Sequence, residues 1–311
     1  MAESATNSPH HSLLQPGTLW SQATARTKTA RESGALKSIK TEYHLIQQHE
    51  IAFVVRTLSN IALKEVARAK QSHQEAKSGK RVDPFLPYEP DLFVGDISST
   101  HICLLNKFNV VDNHLLIVTR DYQEQTDLLN LKDFTALWFC MQEFDGLAFF
   151  NGGKTAGASQ PHKHLQLIPL PFVPNIIDIP LEQAIANITF SNSLGKIDSF
   201  PFLHAVANLN ISPDHSLEEA AQIILDRYYS LLHQVGFELQ ADAQQQPGAY
   251  NFLATRNWIM IVPRSQESFE NIPINSLGFA GSLFVRDQAS FKLLKELTPL
   301  KLLTKVTFAD S

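Results

Sequence analysis

The amino-acid sequence predicts an α+β fold built on antiparallel hairpins, and three observations point there. Apolar, β-branched runs come as neighbouring pairs, THICLLNKFNVV with HLLIVTR and AYNFLA with NWIMIVPR, each pair parted by turn-forming residues. The helical segments do not alternate one by one with strands, as they would in a doubly wound parallel sheet. Of 311 residues, 44% are apolar and 18% charged, enough to build a core and to exclude extended disorder of the whole.

Residues 1–16, rich in Ser, Asn, His and Pro, are expected to be a flexible N-terminus. Apolar residues then recur at helical spacing from Pro16 to Lys70, most clearly in IAFVVRTLSNIALKEVARAK, which predicts a helix over 51–70. Residues 71–81 read as a polar loop. In DPFLPYEPDLFVGD the breaks at Pro84, Pro87, Pro90 and Gly95 dictate extended chain. Strands over 100–111 and 114–120 should form a hairpin turning at Asp112-Asn113. A helix over 127–145 is predicted, with Asp127 as N-cap and Gly146 just past its end. GLAFFN reads as a strand, GGKTAGASQ as a glycine-rich loop and PHKHLQLIPLP as another strand. Residues 172–215 are mixed and punctuated by proline. Ser216 and Glu219 form a capping-box pattern opening a helix to Val235, and Gly236 closes it. After a linker over 241–249 come two strands around Thr255-Arg256-Asn257. An amphipathic helix over 288–300 follows.

Charge narrows the partners. With 26 Lys+Arg against 31 Asp+Glu the net charge is −5, so no nucleic-acid partner is expected, because such proteins normally carry a cationic excess. A small anion needs only a few local cations. Cys103 and Cys140 lie inside apolar runs and read as buried thiols of a reducing compartment rather than a disulfide framework. No run approaches the roughly 18 apolar residues of a membrane span, and MAESATNSPHH lacks the features of a secretory signal. A cytoplasmic protein with no membrane partner is expected.

The chemistry concentrates in NGGKTAGASQPHKHLQLIPLP. On a strand, His162, His164, Gln166 and Ile168 share one face while Lys163, Leu165 and Leu167 take the other. Upstream, Gly152, Gly153 and Gly157 with small Ala156, Ala158 and Ser159 allow a ligand close to the main chain. Such a loop can aim several N–H groups at an anion, with Lys154 adding charge. A polyphosphate would then lie beside the imidazole row. From the residues alone, a zinc or iron site using H-x-H plus His101, His114 or His204 stays open. A Walker A loop does not fit, since its first glycine would fall at Ala148.

GASQPHKHLQ with its preceding NGG resembles the active-site signature of the histidine-triad superfamily, in the branch ending in Gln. LNKFNVVDNHLLIVTRDYQEQ, YNFLATRNWIMIVPR and INSLGFAGSLFVRD resemble segments of the ATP adenylyltransferases, also called diadenosine tetraphosphate (Ap4A) phosphorylases. DPFLPYEPDL resembles their proline-rich segment, with Asp83 where Asn is common. These pieces run in the family's order across residues 80–290.

The resemblance implies a twisted, mostly antiparallel sheet of histidine-triad type with flanking helices. Residues 17–171 would form the catalytic core and 172–311 the half completing the substrate site. It implies reversible phosphorolysis of Ap4A to ADP and ATP, with His164 as the nucleophile that takes the adenylyl group. His162 and the loop Gly157, Ala158, Ser159 and Gln160 would hold phosphates, and Gln166 would bond the transferred phosphoryl oxygen. Asn106 and Lys107 match the family's nucleoside or ribose site, and Asn151 the residue opening the glycine loop. Lys80 matches a phosphate-contacting lysine. Asn275, Ser276 and Leu277 with Arg286 match the C-terminal substrate loop. A carboxamide cannot deliver a proton, yet a polyphosphate leaving group scarcely needs one, and phosphate as acceptor needs no base. Gln166 therefore suits transfer to phosphate better than hydrolysis. The expected ligands are Ap4A, ATP, ADP and phosphate, with sulfate an open extension. No metal site or tightly bound cofactor is expected, though a divalent cation such as Mg2+ could accompany the polyphosphate. The rivals are a hexose-1-phosphate uridylyltransferase of the same H-x-H-x-Q logic and a non-catalytic nucleotide sensor.

Overall fold

A computed structural model of the protein describes residues 13–58, 83, 85–174, 178–240 and 242–310. In chain order the elements are α1 (Leu19–Glu32), β1 (Thr41–Gln48), β2 (Ile51–Leu58), β3 (Phe93–Asp96), β4 (His101–Leu105), β5 (Leu115–Thr119), α2 (Leu131–Met141), β6 (Gly146–Asn151) and β7 (His164–Pro169). There follow α3 (Glu182–Ala186), β8 (Leu194–Gly195), β9 (Ala205–Asn208), α4 (Leu217–Gln234), β10 (Tyr250–Ala254) and β11 (Trp258–Pro263). The last are β12 (Ser268–Phe269), β13 (Ile272–Pro273), α5 (Ser276–Phe279), β14 (Ser282–Val285), α6 (Gln288–Leu297) and α7 (Pro299–Lys305). Strands β3 to β11 make one sheet in the order β3-β4-β5-β7-β6-β10-β11-β9-β8, antiparallel at every pairing. This is the α+β architecture that the paired apolar runs predict. No helix among the described residues is long and apolar enough to cross a membrane.

Strand alternation sorts the core. One face of the sheet sends Cys103, Ile117, Leu165, Leu167, Phe150 and Phe252 under α1, α2 and α4. The other face carries two separate apolar clusters. Phe149, Ile168, Leu253 and Met260 pack beneath the second sheet and the C-terminal helices, while Phe85, Phe93, Leu104, Leu116 and Val118 pack at the opposite end. His164 and Gln166 stand between the two, because β7 places them across from Val118 and Leu116 of β5.

Five elements depart from expectation, the first being β1, a strand at Thr41–Gln48 inside the stretch from Pro16 to Lys70 where helical spacing is predicted. Residues 51–58 form a strand, not a helix: β2 pairs with β1 and, in parallel, with β14, which lies more than 200 residues away in sequence. Ile51, Phe53, Val55 and Thr57 are buried while Ala52, Arg56 and Leu58 are only partly so, and the apolar Ala52, Val54 and Leu58 on that second face hide the alternation in the sequence. Residues 59–70 of that predicted helix lie outside the described residues. The hairpin β4–β5 forms, yet its connection spans 106–114 instead of turning tightly at Asp112-Asn113. Helix α2 begins at Leu131 under a capping box of Asn130 and Asp133, not at Asp127, whose carboxylate instead accepts from the Glu124 amide. The predicted C-terminal helix is two helices, since Thr298 takes a φ of +71° and Pro299 opens α7. The capping box of α4 at Ser216 and Glu219 and the left-handed Gly236 are as expected. Cys103 and Cys140 are buried free thiols.

Lys163, between the two histidines in sequence, turns to the opposite face and is fully buried. Its ammonium donates to the Asp133 carboxylate at 2.7 Å and to the Leu128 carbonyl at 2.8 Å. Burial would raise the Asp133 carboxyl, but His101 and Lys163 outweigh it and hold it below the usual range. The pair ties β7 to the first turn of α2. Asp133→Leu leaves the ammonium alone and is expected to cost about 3–5 kcal/mol in urea unfolding. The double variant Asp133→Leu/Lys163→Met should recover the part of that loss owed to the stranded ammonium, but not the part owed to the capping box and to His101. Additive losses would show that the pair is not what holds β7.

Candidate active site

Two chambers open on the face bearing His164 and Gln166. The first, about 460 Å³, is bounded by Arg56, Asn106, His114, Asn151, Gln166 and Asn275, with apolar walls from Phe149, Phe172 and Phe284. The second, about 420 Å³, is lined by His164 with Phe85, Tyr88, Leu104 and Leu116. Asn106, Phe108, Ser159 and Gln166 border both. The long loop between β4 and β5 supplies Asn106 and Phe108, which is why the turn is wide.

The main chain fixes the tautomer of His164. Its Nδ1 donates to the His162 carbonyl at 2.8 Å, which leaves Nε2 with a free lone pair. Burial lowers its pKa from 6.5 to about 4; the carbonyl bond opposes that shift and the charge of His162 adds to it. The ring is therefore neutral near pH 7. Phe85 meets it edge-on at 5.0 Å between centroids.

His162 does something other than hold phosphate. Its imidazole is fully buried and both nitrogens are engaged. Nδ1 lies 2.8 Å from the Asp83 carboxylate, and Nε2 lies 2.9 Å from both the carbonyl and the hydroxyl of Thr119. What reaches His164 is its carbonyl oxygen. Asp83 thus has a visible partner in this chain.

The glycine loop also differs from a nest of free N–H groups. Gly153, Ala156, Gly157 and Ala158 donate to carbonyls within the loop or just before it, and Gly152 donates to Tyr250. The loop's shape instead permits close packing. A Cβ on Gly157 would sit 2.7 Å from the Ile274 carbonyl, and the residue's φ is +91°. Ser159 and Gln160 do face the chambers.

Behind the loop lies a buried polar network. Asn151 Oδ1 accepts from Asn251, from the Ser276 amide at 2.9 Å and from its hydroxyl at 2.8 Å. Arg264 is buried and donates to Asn251 Oδ1, the Ile274 carbonyl and the Ala156 carbonyl. This network joins the glycine loop to α5. With its oxygen held, Asn151 turns its N–H2 to the cavity. Asn275 is turned likewise, its Oδ1 capping Leu277 at 3.1 Å.

Of the residues predicted from sequence, His164, Gln166, Asn106, Lys107, Asn151, Gly157, Ser159, Gln160, Asn275 and Leu277 line the chambers. Lys107 is paired there with Glu89. Ser276 serves the network. Lys154 and Arg286 are exposed, and neither they nor Ala158 borders a chamber. Lys80 lies outside the described residues. Sequence reasoning missed Arg56, whose guanidinium donates to the Phe172 carbonyl at 2.7 Å while bordering the first chamber. It also missed Asn251, an isolated polar residue inside β10, and Arg264, just past the end of β11.

Residues 9–187 match the family model of the Ap4A phosphorylase N-terminal domain, and residues 198–309 that of the ATP adenylyltransferase C-terminal domain. Diadenosine 5′,5‴-P1,P4-tetraphosphate phosphorylase 2 of Saccharomyces cerevisiae is 29% identical over 297 residues, 86% of this chain and 87% of that protein. The crystal structure of yeast Ap4A phosphorylase Apa2 superposes with a TM-score of 0.76 at 24% identity, covering 96% of this chain and all of that one. A second crystal structure of that enzyme, in complex with Ap4A, gives 0.72 at 23% identity, covering 96% and 100%.

The site's geometry generates two expectations. In a 15N imidazole titration His164 should protonate only as the pH falls through about 4; a midpoint at the ordinary 6.5 would contradict it. Gly157→Ala should displace 274–275 and lower kcat/KM by about 10-fold or more, as misplacing a positioning group does; unchanged kinetics would show that the close approach is dispensable.

Proposed function

The chain belongs to the Ap4A phosphorylase family, and on that premise we propose that it transfers an adenylyl group from Ap4A to inorganic phosphate through His164. Nε2 of His164 attacks the α-phosphorus of one adenosine half. The P–O bond to the next phosphate breaks, and ATP leaves with the electron pair. Phosphate then attacks the adenylyl-histidine, the P–N bond breaks, and ADP departs with the imidazole restored as neutral base. Atoms balance as Ap4A + phosphate → ADP + ATP, and the reverse direction uses the same steps.

The observation that carries this reading is the polarity of the cavity wall. Asn151, Gln166 and Asn275 each have their side-chain oxygen engaged and their N–H2 toward the first chamber. A wall of donors with Arg56 suits phosphate oxygens, and it stabilises charge that builds on the transferred phosphoryl group. It contains no ready base for water. We assign the nucleoside being transferred to the chamber of Phe85, Tyr88 and Leu104 beside His164. The departing nucleotide takes the chamber bordered by Arg56. Use of sulfate as acceptor, converting ADP and sulfate to adenylyl sulfate and phosphate, belongs to the same proposal. So does a divalent cation carried in on the polyphosphate. Both steps of the reaction need only small molecules as ligands, nucleotides and an inorganic oxyanion.

Chromatography of the products tests it. The wild-type protein should make equal ADP and ATP from Ap4A only when phosphate is present. His164→Ala should lose at least about 10⁴-fold in rate, the scale of removing a covalent nucleophile. Equal turnover without phosphate would make the protein a hydrolase, and activity only on uridylyl sugars would favour the uridylyltransferase reading.

A further inference from the structure

The orientation of Gln166 decides whether it meets a phosphoryl oxygen as donor or as acceptor, and the structure fixes it through a chain of contacts. An amide side chain or a neutral imidazole can be turned either way unless a neighbour of known polarity settles it. Here the neighbour is a backbone amide: the Phe108 N–H donates to Asn106 Oδ1 at 3.2 Å. Asn106 must then offer Nδ2 to His114 Nδ1, 3.3 Å away. His114 Nδ1 is consequently the bare acceptor nitrogen, and Nε2 carries the proton. That N–H donates to Gln166 Oε1 at 2.9 Å. The remaining N–H2 of Gln166 faces the chambers.

We infer that His114, anchored by Asn106, is a positioning residue that holds the Gln166 carboxamide as a donor toward the transferred phosphoryl group. The inference rests on the adenylyl-transfer reading for its consequence, not for its geometry. His114 touches no reacting atom. Burial, the largest influence on it, lowers its pKa to about 4, so it remains neutral and keeps one donor and one acceptor nitrogen. The backbone supports the arrangement, since the Asn106 amide donates to the His114 carbonyl at 2.8 Å across the mouth of the β4–β5 loop. Both polar atoms of the Asn106 side chain are engaged in this chain of contacts, which gives that residue an orienting task distinct from contact with a ribose. Released from His114, the carboxamide could present Oε1, and an acceptor facing an anionic oxygen repels where the N–H2 attracts.

A double-mutant cycle tests the inference. His114→Phe, which keeps an aromatic ring and removes the donor, should lower kcat for phosphorolysis about 10- to 100-fold with KM little changed, as loss of an orienting partner does. In a Gln166→Ala background the same substitution should cost nothing further. An equal loss in both backgrounds would overturn the proposal and make His114 merely structural. Should His114→Phe fail to fold, Asn106→Ala removes the anchor instead, and its loss of kcat should likewise vanish in the Gln166→Ala background. A 15N spectrum of the histidine-labelled wild-type protein should show His114 protonated at Nε2 and bare at Nδ1; the opposite tautomer would sink the inference. That spectrum needs no substrate, so a chain inactive on Ap4A would overturn the functional reading while leaving this result standing.

Discussion

A buried lysine sets the geometry of this site. The Lys163 ammonium and the Asp133 carboxylate meet at 2.7 Å where both are almost wholly shielded from water. Two charges in such a place are tolerable only when paired and hydrogen-bonded. The structure meets that condition with the Leu128 carbonyl and His101. The same residue is tied through its main chain, donating to Gln123 and accepting from Thr119. Residue 163 is therefore fixed at both ends. Its neighbours His162 and His164 inherit that fixity on the other face of the strand. The carbonyl that sets the tautomer of His164 belongs to the peptide between His162 and Lys163. An ion pair on one side of the sheet thus positions His164 on the other.

From that anchor, polarity spreads outward by hydrogen bonds with only one sensible direction. Backbone amides and carbonyls have no alternative orientation, and three carboxamides near the cavity are turned directly by one, while Gln166 is turned at one remove through His114. Phe108 turns Asn106, Ser276 turns Asn151 and Leu277 turns Asn275. The cavity receives N–H groups as a result. A neutral nucleophile in a donor-lined wall suits attack on a polyanion: no lone pair is lost to protonation near neutral pH, and the charge that develops is met by dipoles already in place.

Much of this was legible in the sequence because strand alternation is a strict rule. His164 and Gln166 on one face and Lys163 on the other follow from period two alone. The failures have equally physical causes. In 51–58 the apolar Ala52, Val54 and Leu58 on the less buried face hid the alternation, and the partner strand β14 came from far along the chain. Glycines 152, 153 and 157 suggested a ring of free amides, but the loop folds a tight turn on itself, Gly153 and Gly157 bond to its own carbonyls or the one just before it, and Gly152 bonds to Tyr250. Arg264 carried no local signal, because nothing near it in the sequence tells that six carbonyl and amide oxygens will converge on a lone arginine just past a strand end. Orientation of Gln166 was out of reach for the same reason, since it depends on residues 106, 108 and 114 from another hairpin.

The measurement that bears most directly on the central claim is peptide mass spectrometry of the protein mixed with Ap4A in the absence of phosphate and quenched under alkaline denaturing conditions. One adenylyl group is expected on the peptide carrying His164, with its discharge as ADP when phosphate is added before the quench. An adduct on another residue, or none at all while Ap4A is consumed, would contradict transfer through His164.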